Sequence, residues 1–344
     1  MKRTRICTIF LLCLAFLSLF TCVSIFADTE TEIKNDIFTY TISDGKATII
    51  DVGDTQKKVE IPAKFENYPV VALASGACGG NTVMEEIIIP DSVTSIGSMC
   101  FSYCTSLTNV TLPKKLTSIE SGAFHHCTKL RSITLPDTLK SIGKDAFYRC
   151  DELWTISIPE SVTTIGENAF ADCQNLSAAT ISANVKNIEK NAFEAHDGFQ
   201  IYAKPDTVAA NFAKSQNIVF EELITISVNG QSVVFDQPPI TDLKNYRTLV
   251  PMRAILTPLG ANITWDNYFN MAGIDLFGNR LLVRIGEPFM MLNGSAYTLS
   301  VPAVEFNNRT MLPVRDIVEA VGGTVEWDEK TKHITITCKT EIND

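Results

Sequence analysis

Positive charge is scarce in this sequence, and the motifs of common enzyme classes are missing from it. Lys and Arg number 29 against 39 Asp and Glu, which leaves a formal net charge of -10. Nucleic acids and anionic lipid surfaces are bound by basic patches, so this balance argues against both as partners. No P-loop, GxGxxG, HExxH, GxSxG or EF-hand pattern occurs,. We therefore predict no catalytic residue, no cofactor and no metal site.

Long hydrophobic runs are also rare, since only one exists and it lies at the N-terminus. Three basic residues precede an apolar run from Ile9 to Phe20, and the small residue Ala27 follows at a suitable cleavage position. This pattern is typical of a secretory signal peptide and predicts that residues 1–27 are removed. The alternative is an uncleaved anchor helix, because apolar residues continue as far as Phe26. With the signal cleaved no membrane span remains, and we expect a secreted or cell-surface protein.

Repetition is what the chain has in abundance, because residues 84–199 contain one 23-residue unit five times. A fixed period in the twenties predicts a solenoid in which each coil covers the hydrophobic face of the next. Within a unit, an alternating apolar segment predicts a short strand, and the proline after it ends the strand pairing. The recurring columns are Pro90, Pro113, Pro136 and Pro159, continued by Ser182; Ile96, Ile119, Ile142, Ile165 and Ile188; Phe101, Phe124, Phe147, Phe170 and Phe193; and Cys104, Cys127, Cys150 and Cys173, continued by His196.

These columns resemble the BspA-type leucine-rich repeat, whose unit reads roughly L-x-x-I-x-I-P-x-S-V-x-x-I-G-x-x-A-F-x-x-C-x-x. The resemblance implies a curved binding scaffold, secreted or held at a surface, without a catalytic centre. The predicted fold is mixed α/β: a strand-rich solenoid of 23-residue coils, then a small duplicated α+β domain of hairpins and short helices. We predict a cap hairpin and degenerate first repeat over 28–80, the repeats with a C-terminal cap over 81–222, and the duplicated domain over 223–344.

Both ends of the solenoid carry sequence signals for caps. Residues 37–50 alternate around an Asp44-Gly45 turn, which predicts a β-hairpin, and residues 59–80 resemble a degenerate coil,. At the other end, Asp206 or Thr207 can cap a short helix. Because terminal coils must hide their last apolar layer, we expect both segments to serve as caps.

A second duplication occupies the C-terminal region. Residues 247–253, Arg-Thr-Leu-Val-Pro-Met-Arg, recur as residues 309–315, Arg-Thr-Met-Leu-Pro-Val-Arg. The Trp-Asp pair at 265–266 recurs at 327–328, so both repeats have the same offset of 62 residues (247 to 309, 265 to 327). Each copy predicts a hairpin, a strand, a short helix after the proline, a glycine stop and a further hairpin.

This unit resembles the copper amine oxidase N-terminal-like domain, also called a stalk domain, which implies spacing or wall association. The catalytic portion of copper amine oxidases needs three histidine ligands and an Asn-Tyr-Asp/Glu motif. Here the C-terminal region has one histidine, His333, and no Asn-Tyr pair is followed by an acid. We therefore expect neither a copper site nor amine oxidase activity.

The candidate binding residues lie on the strand face of the solenoid and in the loops beside it. The predicted strands 110–112, 133–135 and 156–158 each contribute one outward residue to a ladder with a spacing of about 4.8 Å. We expect this ladder to lie on the concave face, flanked by aromatic and histidine side chains from loops. The candidates are Thr111, Thr134, Ser157, Thr180, Tyr103, His126, Tyr148 and Trp154.

Each of three further groups of residues has two possible interpretations. The cysteine column fits inter-coil disulfides or buried thiols, and we expect thiols because they fill coil interiors well. The run His125-His126-Cys127 fits a metal site or a turn, and we expect a turn because adjacent extended residues point in opposite directions. Arg253 and Arg315 fit an acidic glycan or structural ion pairs, and we expect ion pairs because duplicated positions usually serve the fold.

These features favour a secreted or cell-surface binding scaffold. The leucine-rich-repeat face would mediate an adhesion-type protein interaction, with an extracellular protein or glycan as the partner. The alternative hypothesis is a structural cell-wall or matrix protein whose C-terminal domain binds polysaccharide. An amine oxidase-related enzyme is the least favoured hypothesis.

Overall fold

The computed structural model describes residues 32–235, 237–242, 247–306 and 309–338. The predicted signal peptide lies outside these residues. The described chain forms a strand-rich solenoid followed by a small β-rich domain, each around its own hydrophobic core. The first core runs from Phe38 to Ile218, and the second runs from Ile226 to Cys338. Within the described ranges, no helix has the length and apolar character that a bilayer crossing requires.

Short strands and one helix make up the solenoid. In chain order they are β1 (Ile33–Lys34), β2 (Phe38–Ser43), β3 (Lys46–Val52), β4 (Lys58–Glu60), β5 (Lys64–Phe65), β6 (Tyr68–Leu73), β7 (Glu86–Ile88), β8 (Ser95–Ile96), β9 (Asn109–Thr111), β10 (Ser118–Ile119), β11 (Ser141–Ile142), β12 (Thr155–Ile158), β13 (Thr164–Ile165), β14 (Ala178–Ile181), β15 (Asn187–Ile188), β16 (Gln200–Ala203), α1 (Val208–Ser215) and β17 (Val219–Glu222).

The N-terminal hairpin is confirmed. Strands β2 and β3 pair in antiparallel register, and the turn residues Asp44 and Gly45 have φ angles of 49° and 70°. Two left-handed residues in a two-residue loop match the right-handed twist of the strands they join. Strand β3 then pairs in parallel with β6, which connects the hairpin to the first coil.

The coils stack in parallel, with residues of the same column side by side. Strands β10, β11, β13 and β15 form one narrow sheet, in which Ile142 pairs with Ile165. Strands β12, β14, β16 and β17 form a second sheet, in which Ser157 pairs with Thr180. The predicted solenoid of 23-residue coils is therefore confirmed.

The predicted strand at 133–135 is wrong. Residues 133–135 form no strand, so the ladder is divided into the sheet β4-β7-β9 and the sheet that begins with β12. Ile133 and Leu135 are nevertheless buried, and Thr134 is exposed. Side-chain packing holds this coil where strand pairing is lost. Burying such a side chain contributes about 1.5–3 kcal/mol, which outweighs the roughly 0.5–1.5 kcal/mol net of one hydrogen bond.

The phenylalanine column forms a continuous stack through the interior. Successive ring centroids from Phe101 to Phe193 lie 5.1, 5.2, 5.0 and 4.9 Å apart, and the ring planes are within 9° of parallel. All five side chains are at most 1% exposed. Each ring therefore contacts the coil before it and the coil after it, which makes the stability of neighbouring coils interdependent.

The cysteine column consists of buried free thiols, as expected. All seven cysteines within the described residues are free and buried. In the column, each Sγ donates to a backbone carbonyl near the preceding phenylalanine turn, at 3.1 Å from Cys127 to Phe101 and 3.2 Å from Cys150 to Phe124. Burial raises the pKa of both thiols well above the ordinary range, so they remain protonated.

The C-terminal cap also has the predicted form. Helix α1 begins after Thr207, whose hydroxyl accepts a hydrogen bond from the Ala210 amide at 3.3 Å. Phe212 packs from this helix against Phe193, the last ring of the stack, with centroids 6.2 Å apart. Strand β17 pairs with β16 and completes the sheet. The helix thus covers the apolar end that a further coil would otherwise cover.

The C-terminal domain contains thirteen strands and two short helices in its described residues. They are β18 (Thr225–Val228), β19 (Gln231–Ser232), β20 (Ile240–Asp242), β21 (Arg247–Pro251), α2 (Met252–Leu256), β22 (Asn262–Asp266), β23 (Met271–Leu276), β24 (Asn279–Arg284), β25 (Phe289–Leu292), β26 (Ser295–Thr298), β27 (Val304–Phe306), β28 (Arg309–Pro313), α3 (Val314–Ala320), β29 (Thr324–Asp328) and β30 (His333–Thr337).

The two copies of the duplicated motif meet at their central strands. Strands β21 and β28 are antiparallel, with Val250 opposite Leu312. Leu249 pairs with Pro313 and Pro251 pairs with Met311, so exchanging the copies leaves the pairing unchanged. The copies are therefore related by a local two-fold axis that passes between Val250 and Leu312.

Substituting Phe147 by Ala should destabilise the solenoid by about 3–5 kcal/mol, because the substitution removes a fully buried ring and leaves a cavity. Urea unfolding followed by fluorescence of Trp154, the only tryptophan among residues 32–222, measures this loss. Phe269→Ala is the control, since Phe269 is 51% exposed in the other domain. Equal effects from the two variants would contradict the role of the stack.

Cys127 and Cys150 should resist Ellman's reagent in the folded protein and react after unfolding in urea. The thiolate is the reactive form, and burial both raises the thiol pKa and blocks access,. Mass spectrometry of the labelled peptides identifies which cysteines react. Rapid labelling of either residue in the native protein would contradict the buried-thiol column, and so would the absence of a reactive thiol after unfolding.

Candidate binding surface

Each coil makes a tight turn between its phenylalanine and its cysteine. The second residue of this turn has a positive φ angle in four successive coils, at 58° for Tyr103, 59° for His126 and 56° for both Arg149 and Asp172. This region costs an L-residue of order 1 kcal/mol and is normally occupied by Gly or Asn. Bulky side chains kept here despite that cost suggest a functional role.

The turn brings four ring side chains together, and we call Tyr103, His125, His126 and Tyr148 the aromatic–histidine cluster. The Tyr103 ring stacks on His126 with centroids 4.6 Å apart, and the His125 ring stacks on Tyr148 at 5.2 Å. The two histidine Nδ1 atoms lie 2.9 Å apart, within hydrogen-bonding distance. The cluster is therefore a pre-ordered surface of rings, because each ring is held by its neighbour.

Polar groups border this cluster on one side. The Tyr148 hydroxyl donates to Asp172 Oδ2 at 2.7 Å, and this hydrogen bond is the main reason that the pKa of Tyr148 is raised. Asp151 has a raised pKa because burial penalises its charge, and its buried Oδ1 accepts no hydrogen bond from the described residues. The border thus carries two acidic side chains, of which Asp172 is bonded to the cluster through Tyr148.

Both histidines of the cluster are uncharged at neutral pH. Burial lowers the pKa of His125, and the neighbouring His126 lowers it further. Burial also lowers the pKa of His126, with a further contribution from the Arg149 guanidinium. One neutral imidazole can donate to the other, whereas two imidazolium rings would bring two donors face to face. The surface is therefore apolar and neutral near pH 7 and gains positive charge in acid.

The predicted binding residues fall into separate groups. Tyr103, His126 and Tyr148 belong to the cluster, and Tyr103 is 48% exposed. The outward strand residues Thr111 and Thr134 are exposed, whereas Ser157 and Thr180 are half-buried neighbours in one sheet. Trp154 is 37% exposed and directly precedes β12. Within the described residues, no hydrogen bond or ring contact joins these strand residues to the cluster.

Sequence reasoning missed His125 and Asp172 as members of the surface. The expectation that adjacent side chains point in opposite directions assumes an extended backbone. The backbone of His126 is instead in the left-handed region, and its ring lies next to the ring of His125. The expected turn at this position is confirmed. Among the described residues no set of three His, Cys, Asp or Glu side chains is placed to hold a metal ion. The available signal was the spacing of Tyr148, which follows His125 by 23 residues and precedes Asp172 by 24.

The two arginines of the duplicated motif behave differently. Arg315 Nη1 pairs with Glu319 Oε1 at 3.1 Å on the exposed side of α3, as expected. The same expectation is wrong for Arg253, which is exposed and forms no ion pair with a described carboxylate. The reason is local, because the position one helical turn later is Thr257, where the other copy has the acid.

Comparison with known families agrees with this architecture. Residues 74–200 match the BspA type leucine rich repeat region in six copies. Residues 227–336 match the copper amine oxidase N-terminal domain. The protein combines BspA-type repeats with a copper amine oxidase N-terminal domain. At a general level, the repeat region therefore has the architecture of a binding scaffold.

Solved structures of bacterial leucine-rich repeat proteins are similar to the chain. A leucine rich repeat protein from T. pallidum has 25% identity and a TM-score of 0.43, over 56% of this chain and 98% of its own. A Bacteroides ovatus leucine-rich repeat protein has 22% identity and a TM-score of 0.38, over 51% and 62%. A leucine rich cell surface protein from Faecalibacterium prausnitzii has 24% identity and a TM-score of 0.46, over 63% and 60%. No curated protein matches the chain.

The copper amine oxidase N-terminal domain is not the catalytic part of those enzymes. The donor set here does not fit copper, because His333 is the only histidine of the region. Its Nδ1 lies 2.8 Å from Thr225 Oγ1, and its Nε2 lies 2.9 Å from Ser227 Oγ. Both ring nitrogens thus bind hydroxyls of the parallel neighbour β18, and the histidine links the first strand of the domain to the last.

The stability of the solenoid should fall as the pH drops below about 6.5, the unperturbed histidine pKa. The folded-state pKa values of His125 and His126 are lowered, so the unfolded chain takes up protons first and is favoured in acid,. Urea unfolding between pH 7.5 and pH 5.5 measures this dependence, in wild type and in the His125→Asn, His126→Asn double variant. Asn tolerates the left-handed turn and does not titrate.

The double variant should lose part of this pH dependence, whereas His196→Asn, in the last coil, should keep it. If the free energy of unfolding of the double variant depended on pH as it does in the wild type, the cluster histidines would titrate in the folded protein as they do in the unfolded chain. That result would contradict the prediction.

Proposed function

We propose that the protein is a secreted or cell-surface scaffold whose BspA-type region binds an extracellular protein in an adhesion-type interaction. The aromatic–histidine cluster is the observation that supports this most directly. The cluster is solvent-accessible and pre-ordered by stacking, and two of its members, Tyr103 and His126, occupy left-handed turn positions that a purely structural role would fill with Gly or Asn,.

The chemistry of the cluster suits a protein partner. Tyrosine provides a large rigid contact area with a polar tip, and such residues are enriched at the energetic centre of protein interfaces. Stacking already restricts Tyr103 and Tyr148, so less side-chain entropy is lost on binding. The neighbouring Asp172 supplies an acceptor at the edge of the surface, as in interfaces with an apolar centre and a polar rim.

The strand ladder is a second part of the proposed binding region, separate from the cluster. Thr111, Thr134, Ser157 and Thr180 present small hydroxyl side chains along one direction of the solenoid. Such a row can accept and donate hydrogen bonds to a partner without a steric barrier. Trp154, at the start of β12, would add an apolar anchor beside this row.

Two observations support a location outside the cell. BspA-type proteins are typically found at the cell surface or secreted. The N-terminal pattern of basic, apolar and small residues predicts export,. The C-terminal domain would then provide spacing or association with the wall. The alternative function is that of a structural wall or matrix protein. In that case the C-terminal domain would be the part that binds, and its ligand would be a polysaccharide.

The test captures extracellular proteins on the intact mature protein and on two variants. Tyr103→Ala with Tyr148→Ala should weaken capture of the partner at least about tenfold, because central aromatic contacts carry much of an interface's free energy. Tyr268→Ala is the matched control, since Tyr268 is 88% exposed in the other domain. Capture that survives the double variant but depends on the C-terminal domain would favour the alternative function.

A further inference from the structure

The two-fold arrangement of the C-terminal domain produces two related clefts. Each cleft combines the end of one motif copy with the start of the other, because β21 and β28 run antiparallel. The first cleft has a volume of about 710 Å³ and is lined by Arg253 and Trp265 of one copy and Arg309 of the other. The second, of about 500 Å³, is lined by the equivalents Arg315, Trp327 and Arg247.

The second cleft is occupied by its own side chains. Arg315 is paired with Glu319, and Trp327 Nε1 donates to Glu329 Oε2 at 2.7 Å. Lys332 Nζ lies 5.8 Å from the centre of the Trp327 ring and also pairs with Glu329. The arginine and the indole of this cleft are thus already partnered by residues of the same copy.

The first cleft lacks each of these three partners. At the same offset of 62, Glu319 is replaced by Thr257, Glu329 by Asn267 and Lys332 by Asn270. Asn267 and Asn270 both line the first cleft beside Trp265. Both copies therefore have the arginine and the indole. The charged side chains that pair with them in the second cleft are replaced by neutral side chains in the first cleft.

The charge of the first cleft also differs from that of the protein. Among the residues that the structure describes, its lining holds two arginines and one carboxylate, Glu305, in a chain with a formal net charge of -10. A polyanion is repelled by such a chain at long range, so it can be held only by local contacts. Arg253 offers a planar guanidinium that matches a carboxylate in two-point geometry.

We propose that the first cleft binds one uronate unit of an acidic polysaccharide. Arg253 binds the sugar carboxylate. The Trp265 indole meets the C–H face of the pyranose ring, because the negative π-face attracts polarised C–H groups. The Asn267 and Asn270 amides, which both donate and accept, bind the ring hydroxyls. The volume is in the range of small-ligand sites, and binding here is independent of the partner of the BspA-type region.

The experiment titrates the full mature chain with trigalacturonate by isothermal calorimetry, and with neutral galactotriose as the matched sugar. Trigalacturonate should bind at least about tenfold more tightly, because only its carboxylates can form charge-assisted hydrogen bonds with Arg253. Arg253→Ala and Trp265→Ala should each weaken binding about tenfold or more. Arg315→Ala and Trp327→Ala, the same changes in the second cleft, should leave it within about twofold.

Four results would overturn the proposal. They are no binding of trigalacturonate at about 1 mM, equal binding of galactotriose, wild-type binding by Arg253→Ala, or an equal loss in Arg315→Ala. Tighter binding of triglutamate than of trigalacturonate would assign the cleft to an acidic peptide instead. Circular dichroism of each variant shows that the fold is retained, and Arg253 is exposed, so its removal creates no cavity.

Discussion

The stacking of one coil on the next is the interaction on which the solenoid depends. A single 23-residue coil has two apolar surfaces and cannot bury either of them alone. The phenylalanine rings meet this requirement by stacking at about 5 Å through the interior, which is the spacing of paired strands,. At both ends a different element must replace the missing coil. The β2–β3 hairpin and helix α1 do so with their own apolar faces.

The register that aligns the core also creates the surface. When Phe101, Phe124 and Phe147 lie in line, the turn residues that follow them lie in line as well. Rings in adjacent turns are then close enough to stack on each other, as Tyr103 and His126 do. The cluster is rigid because the backbone beneath it is held by buried side chains. A repeat protein can thus vary its turn residues and obtain a new surface without altering the fold.

The C-terminal domain shows how duplication separates structural from functional demands. The strands β21 and β28 and the apolar residues around them must be kept in both copies, because each copy completes the pairing of the other. Residues at the rim of the two clefts have no such constraint. One rim has charged side chains that satisfy each other, and the other has neutral side chains in the same places. Symmetry supplies two equal frameworks, and in our proposal the neutral rim leaves only the first one open to a ligand.

The local pattern of residues by itself determined the coils, the Asp44-Gly45 hairpin, the Thr207-capped helix and the duplicated motif. Each of these depends on periodicity, turn chemistry or capping within a few residues along the chain. Only the tertiary structure decided that the strand at 133–135 does not form, that His125 joins the surface, and that Arg253 and Trp265 share a cleft with Arg309. These features arise between coils or between copies. Their geometry depends on backbone angles and pairings that residue spacing does not specify.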